Sequence, residues 1–173
     1  MTTHIIIDGY NLLWQADTLR SATLKNFEEA RGLLIQTLAE TPHLAGKKIF
    51  LIFDAWRTEA PAPTEERRKN IHIIYTRRGQ RADEIIKDYA KRYGSGAVIV
   101  SSDKDVRRVA EKNRCGVLYS GEFAKMMLTP RMSDPASYEN DRDDYPPSRG
   151  PQKKGPAKRL PKARRLGRAR LVK

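Results

Sequence analysis

The sequence predicts an α/β domain built on a parallel sheet of about five strands, and three observations predict it. Five short runs rich in β-branched and aromatic residues, at 4–7, 48–53, 71–75, 97–100 and 116–119, are each bounded by turn or charged residues, the pattern of buried strands. Segments of helical periodicity lie between them, so strand and helix alternate and right-handed crossovers follow. The segments IIIDGYN, IFDAW, RADE and VSSDKD each set an aspartate at or just beyond a strand end or a helix start. Parallel strands open their C-termini on one edge, so those aspartates can meet there.

The elements follow in order. The first strand ends at Asp8, where Gly9 permits a sharp turn. Phe27, Ala30, Leu34 and Leu38 recur at spacings of 3, 4 and 4, the stripe of a helix that stops before Thr41-Pro42. The second strand runs into Asp54. Ala82, Ile85, Ile86, Tyr89, Ala90 and Tyr93 mark the clearest helix, ended by Gly94. Val106, Val109 and Ala110 continue the pattern after the fourth strand, and residues 122–128 form a weaker last helix.

From Thr129 the periodicity fails. Seven prolines between 130 and 161 forbid a long helix and apolar residues become sparse. A domain over residues 1–132 and a disordered tail over 133–173 are expected. The net charge of +13 belongs mostly to this tail, because residues 146–173 hold eleven of the 34 basic side chains and none of the 21 acids. Leu160, Leu166 and Leu171 are too irregular for an amphipathic helix, so the tail is expected to wrap RNA, with Arg164, Arg165 and Arg168 among its contacts.

One cysteine, Cys115, excludes an internal disulfide framework and a Cys-rich zinc module. No apolar run approaches the roughly 20 residues that span a bilayer. The N-terminus enters a strand without a leader, so a cytoplasmic protein with no membrane attachment is expected. No P-loop, G-x-S-x-G or zinc motif is present, and His4, His43 and His72 have no ligand spacing.

The acids carry the chemistry. Each alone has a plain explanation as a helix cap or a first-turn acid. Capping does not explain why the ends expected on one edge so often carry one. Two carboxylates about 4 Å apart repel by roughly 4 kcal/mol at an effective dielectric near 20, so several converging need a cation or shifted pKa values. Hard oxygen donors suit Mg²⁺ or Mn²⁺, which polarise a phosphate and activate water. Asp8, Asp83 and Asp103 are the expected ligands, with Asp54 and Asp105 behind them and Asn11, Ser101 and Ser102 as orienting groups. Arg77, Arg78 and Arg81 run into Asp83 and suit a phosphate backbone. Tyr10, Trp14 and Trp56 are candidates for base stacking, or else core and rim.

The segments IIIDGYNLLW, IFDAWRT, GQRADEIIKDYAKRYG and AVIVSSDKDVRRVAEKNRCGVLYSGEF resemble the YacP-like NYN domain family of the PIN-like nuclease superfamily, over roughly residues 1–130. The resemblance implies a PIN-like three-layer fold and metal-dependent cleavage of single-stranded RNA. It also implies 5′-phosphate products and association with ribosomes and translated messenger RNA. Asp8, Asn11, Asp83, Glu84, Ser102, Asp103 and Asp105 fall on its acidic or polar motif positions. The last motif departs at Val106, where related proteins often carry an aromatic, which weakens the case for Asp105. Two other readings stand beside the nuclease: a catalytically silent RNA- or ribosome-binding module, and a phospho-acceptor domain using Asp54. The latter needs an acidic pair at the first strand and a lysine after the last, where this chain has Gly9 and Tyr119-Ser120.

Overall fold

All five expected strands form, and a sixth joins them. The structure, a computed structural model, describes residues 3–54, 64–127 and 160–172. The chain runs β1 (His4–Asp8), α1 (Gly9–Gln15), α2 (Asp17–Lys25), α3 (Phe27–Glu40), β2 (Lys48–Phe53), β3 (Thr64–Arg68) and β4 (Ile71–Tyr75). It continues with α4 (Ala82–Tyr93), β5 (Ala97–Val100), α5 (Lys104–Lys112), β6 (Gly116–Leu118), α6 (Ser120–Met127) and α7 (Lys162–Val172). The sheet order is β3-β4-β2-β1-β5-β6. Every pairing is parallel except β3 with β4.

Alternation along the central strands sends side chains to two cores. Ile5 and Ile7 join Ile49, Leu51, Val98 and Val100 beneath α1, α2, α3 and α6, whereas Ile6, Phe50, Ile52 and Ile99 pack under α4 and α5. The result is the three-layer arrangement that a parallel sheet requires, since both of its faces must be covered. β3 went unseen in the sequence because TEERR is exposed at every residue and has no apolar face to reveal it. Its place in the sheet comes from the tight antiparallel turn at Lys69-Asn70, where Lys69 takes φ 53°.

The connection from β1 crosses the sheet on the α1–α3 face and the connection from β5 on the α4–α5 face. Two adjacent parallel strands whose connections leave to opposite faces create a crevice beyond their C-terminal ends. Here that crevice lies between β1 and β5, and Asp8 and Asp103 stand at its two sides.

The C-terminal segment corrects one expectation. Residues 133–159 of the anticipated tail lie outside the described residues, but residues 162–172 form helix α7, packed along β6. The last proline of the segment, Pro161, comes just before the first turn, where proline is tolerated. The packing face comes from Ala163, Gly167 and Leu171, at spacings of four, so Leu171 alone of the three leucines belongs to it. Leu171 is buried in the first core and Ala163 packs against the second. Gly167 permits the close approach: a Cβ built there would lie 2.7 Å from the Val117 carbonyl oxygen, and one on Gly116 would lie 2.8 Å from the Gly167 Cα. α7 thus covers the β6 edge, which would otherwise leave unpaired backbone groups open.

Candidate active site at the sheet edge

Three of the four acids at this edge reach their places by capping a helix. Asp8 ends β1 and caps α1, its Oδ1 accepting from the Asn11 N–H at 3.0 Å. Asp103 caps α5, its Oδ1 accepting from the Asp105 and Val106 N–H groups at 2.8 and 2.9 Å. Asp54, beyond β2, accepts from the Ala82 N–H at 2.5 Å and so caps α4 from a distant segment. Asp83 follows in the first turn of α4, with Arg81 3.4 Å from its carboxylate. Three helix N-termini therefore point their positive ends at one edge and orient carboxylates there.

The electrostatics bring four of these acids together. Asp8 is only 9% exposed, and its pKa is pushed up to about 7, chiefly by burial. The Asn11 N–H opposes this rise, and the negative charges of Asp83, Asp54 and Asp103 add to it. Asp83 is raised as well, by burial first and by Asp103 next, with Arg81 and Lys87 pulling the other way. Burial therefore makes the ionised form of Asp8 costly, and the neighbouring acids add to that cost.

Polar cross-links hold the two sides of the crevice in register. The Asn11 Oδ1 accepts from the Ser102 N–H at 3.2 Å, tying α1 to the turn after β5. Buried Ser101 accepts from the Asp103 N–H at 3.1 Å, and the Ser102 hydroxyl oxygen accepts from the Ser120 N–H at 3.3 Å. These three side chains hold the backbone of the turns beside the acids. Asp105 and Glu84 are exposed on α5 and α4, and neither contributes to the fields that raise Asp8 and Asp83. Asp54 spends one oxygen on the α4 cap, which gives it a structural task alongside its charge.

All described oxygen donors here are hard ligands, suited to Mg²⁺ or Mn²⁺. Among the described residues no three acids are close enough to enclose an ion directly. The arrangement suits a cation that keeps several waters and binds through one or two carboxylates, the habit of Mg²⁺. The unrelieved negative charge around Asp8 is what such an ion would neutralise.

The basic residues divide into two groups. Arg77, Arg78 and Arg81 are exposed in the loop leading into α4, where Gly79 takes φ 79°. Arg164 and Arg168, expected in a free RNA-wrapping tail, instead both pair with Glu122 on α6, Arg164 at 2.7 Å. Arg165 is exposed on the same helix. Tyr10 packs edge-on against Phe53 and Phe27, a core role; Trp14 is exposed at the margin of Phe27, and Trp56 lies outside the described residues.

Sequence reasoning missed Tyr119 and Arg107. The Tyr119 ring is approached by the guanidinium groups of Arg107, 4.1 Å from the centroid, and Arg164, 4.6 Å away. The available signal was position: Tyr119 follows β6 as Asp8 follows β1, on the same edge.

A three-layer domain of this order, with carboxylates gathered where the chain reverses direction across the sheet, has the architecture of the PIN-like nucleases. The sequence profile of the YacP-like NYN domain matches residues 5–165, and the chain belongs to that family, a PIN-like nuclease family with an RNA-related function. The match extends into the first turn of α7. YacP of Bacillus subtilis (strain 168) is 32% identical over 89 residues, which are 50% of this chain and 51% of that protein. The matched segment thus spans about half the length of that relative. The crystal structures of Rae1 (YacP) from Bacillus subtilis and of a tryptophan-to-leucine mutant of it share the fold. The mutant superposes with a TM-score of 0.58 at 24% identity, covering 72% of this chain and 74% of that one. The unmutated structure gives 0.56 at 23% identity, with 73% of each chain covered. No described helix is long and apolar enough to cross a membrane.

Proposed function

We propose that this chain is a metal-dependent endoribonuclease that hydrolyses phosphodiester bonds in single-stranded RNA. The observation that carries the reading is Asp8: a buried carboxylate at the switch point, with its pKa lifted to about 7 by burial first and then by the charges of Asp83, Asp54 and Asp103. Such unrelieved charge in a crevice marks a functional site rather than a structural one. Asp8, Asp83 and Asp103 would hold Mg²⁺ or Mn²⁺, partly through water, and the ion would polarise the phosphate and supply an activated water. Asn11 and Ser102 keep the two sides of the crevice at a fixed separation. Arg77, Arg78 and Arg81 draw the phosphate backbone toward the acids and offset its charge. The family resemblance extends the proposal to messenger RNA at the ribosome as substrate, and so to the cytoplasm.

One observation favours a second reading, a catalytically silent RNA-binding module: no three described acids close on a common ion position. A single assay separates the two. Purified protein is incubated with end-labelled single-stranded RNA in Mn²⁺ or in EDTA, beside the Asp8→Asn variant. Cleavage in Mn²⁺ that stops in EDTA and in the variant, with RNA binding retained, is expected. Equal cleavage with and without metal overturns the mechanism, and binding without cleavage in every sample favours the silent module.

A further inference from the structure

Helix α7 reaches the proposed site through a short chain of contacts. Arg164 pairs with Glu122, which is only 10% exposed, and lays its guanidinium over one face of Tyr119. Arg107 also sets its guanidinium over the Tyr119 ring and donates from Nε to the Asp103 backbone carbonyl at 3.3 Å. Tyr119 itself sits beside Ser120, whose N–H is held by Ser102. At the far end of α7, Arg170 donates to the Ala97 carbonyl at 2.8 Å, so the helix is fastened along the whole strand edge.

We infer that α7 is a positioning element of the active site, acting through Arg164, Tyr119 and Arg107 to fix the turn that carries Asp103. The inference rests on the nuclease reading for its kinetic consequence but not for its structural one. A planar guanidinium stacked on a ring and paired with a carboxylate is a rigid arrangement, because the fork is pre-organised and neither partner is free to turn. Removing it frees the Tyr119 ring and loosens the Arg107 side chain, leaving the Asp103 carbonyl with only the backbone bond from the Arg107 N–H at 3.1 Å. Arg164 is thereby assigned a task different from binding the RNA backbone: its charge is already opposed by Glu122.

The test compares the full chain with Arg164→Ala, Arg164→Lys and Tyr119→Leu. Hydrogen exchange is followed at the Asp105 and Val106 amides, which only the Asp103 cap holds. Exchange there is expected to rise about fivefold in Arg164→Ala and in Tyr119→Leu, the size of a lost partly buried cation–π contact. Arg164→Lys is expected to recover part of the protection, since it keeps the charge toward Glu122 but not the planar stack. In the nuclease assay, kcat should fall by a similar factor in both variants while KM stays within about twofold, and the double variant should be no worse than either single one. Unchanged exchange at Asp105 and Val106 overturns the relay, and a raised KM with kcat intact shows Arg164 to be an RNA contact instead. If the wild-type protein cleaves nothing, the nuclease reading fails alone, and the exchange data still decide the relay.

Discussion

Replacing Asp8 with asparagine should make the protein more stable, and only at neutral pH. The folded Asp8 holds a proton up to about pH 7, whereas its ordinary value is 3.8. Between those values the native state binds more protons than the unfolded chain, so stability falls as pH rises through the window and levels off above it. A shift of about three units at roughly 1.4 kcal/mol each sets a ceiling of about 4 kcal/mol on the penalty. Relaxation of water at the rim of the crevice relieves part of it, so about 2–4 kcal/mol is expected. Asparagine removes the charge but keeps an oxygen to accept from the Asn11 N–H, so the cap on α1 survives.

Thermal unfolding of both proteins in EDTA, from pH 4 to pH 8, measures this directly. The variant should match the wild type at pH 4 and gain steadily above pH 5. By pH 8 the gain should reach about 5–15 °C, at roughly 2–4 °C per kcal/mol for a chain of this size. A gain of equal size at pH 4 and pH 8 would show that shape, not charge, separates the two side chains. A variant less stable than the wild type at pH 8 would refute the buried-charge account altogether. The expected direction follows the usual conflict between stability and activity, in which a site retains groups that the fold alone would discard.

Three further outcomes are expected. Asp8→Asn and Asp83→Asn should stabilise less together than the sum of their separate effects, by about 0.5–1 kcal/mol, because each carboxylate raises the other; a double-mutant cycle by urea denaturation checks it. Gly116→Ala should cost about 1–3 kcal/mol, since its Cβ would meet the backbone of Gly167 at 2.8 Å; loss of protection from protease within α7 reads the undocking. Cys115, buried and pushed up to about 11 from 9.0, should hold about 100-fold less thiolate at neutral pH than an exposed thiol; Ellman's reagent should therefore label it slowly in the native protein and rapidly in denaturant.

Much of the fold was legible because a parallel sheet writes itself in the sequence. Ile5-Ile6-Ile7 and Ile49 to Phe53 are buried on both faces, so they appear as unbroken apolar runs, and the stripe of α4 declares its helix. What escaped notice lacked such a signature. β3 is exposed throughout and charged at four of its five residues, and α2 presents mostly polar residues with Leu24 exposed. α7 hides its packing face in Ala163, Gly167 and Leu171, two of them too small to register as hydrophobic. At the site, Asp8, Asp83 and Asp103 could be ranked from strand ends and a helix start alone. The contacts around Tyr119 could not, because they join residues 107, 119 and 164, whose proximity depends on a helix that the proline-rich sequence before it seemed to rule out.

The capping role of the acids and their proposed chemical role do not compete. Asp8, Asp54 and Asp103 each commit Oδ1 to a helix N-terminus. Among the described residues, no hydrogen bond occupies the second oxygen of any of the three. A carboxylate fixed through one oxygen has its remaining lone pairs aimed in a set direction, which is the pre-organisation that binding a hydrated cation or a phosphate requires. The same bonds explain why four like charges can be tolerated at one edge, since three positive helix ends face them. They do not remove the cost at Asp8, where burial outweighs the Asn11 N–H and pushes the pKa up to about 7. The fold therefore supplies enough stabilisation to assemble the acids and leaves one of them short of it. A bound cation would make up the difference, and the charge left over at Asp8 is the reason to expect one.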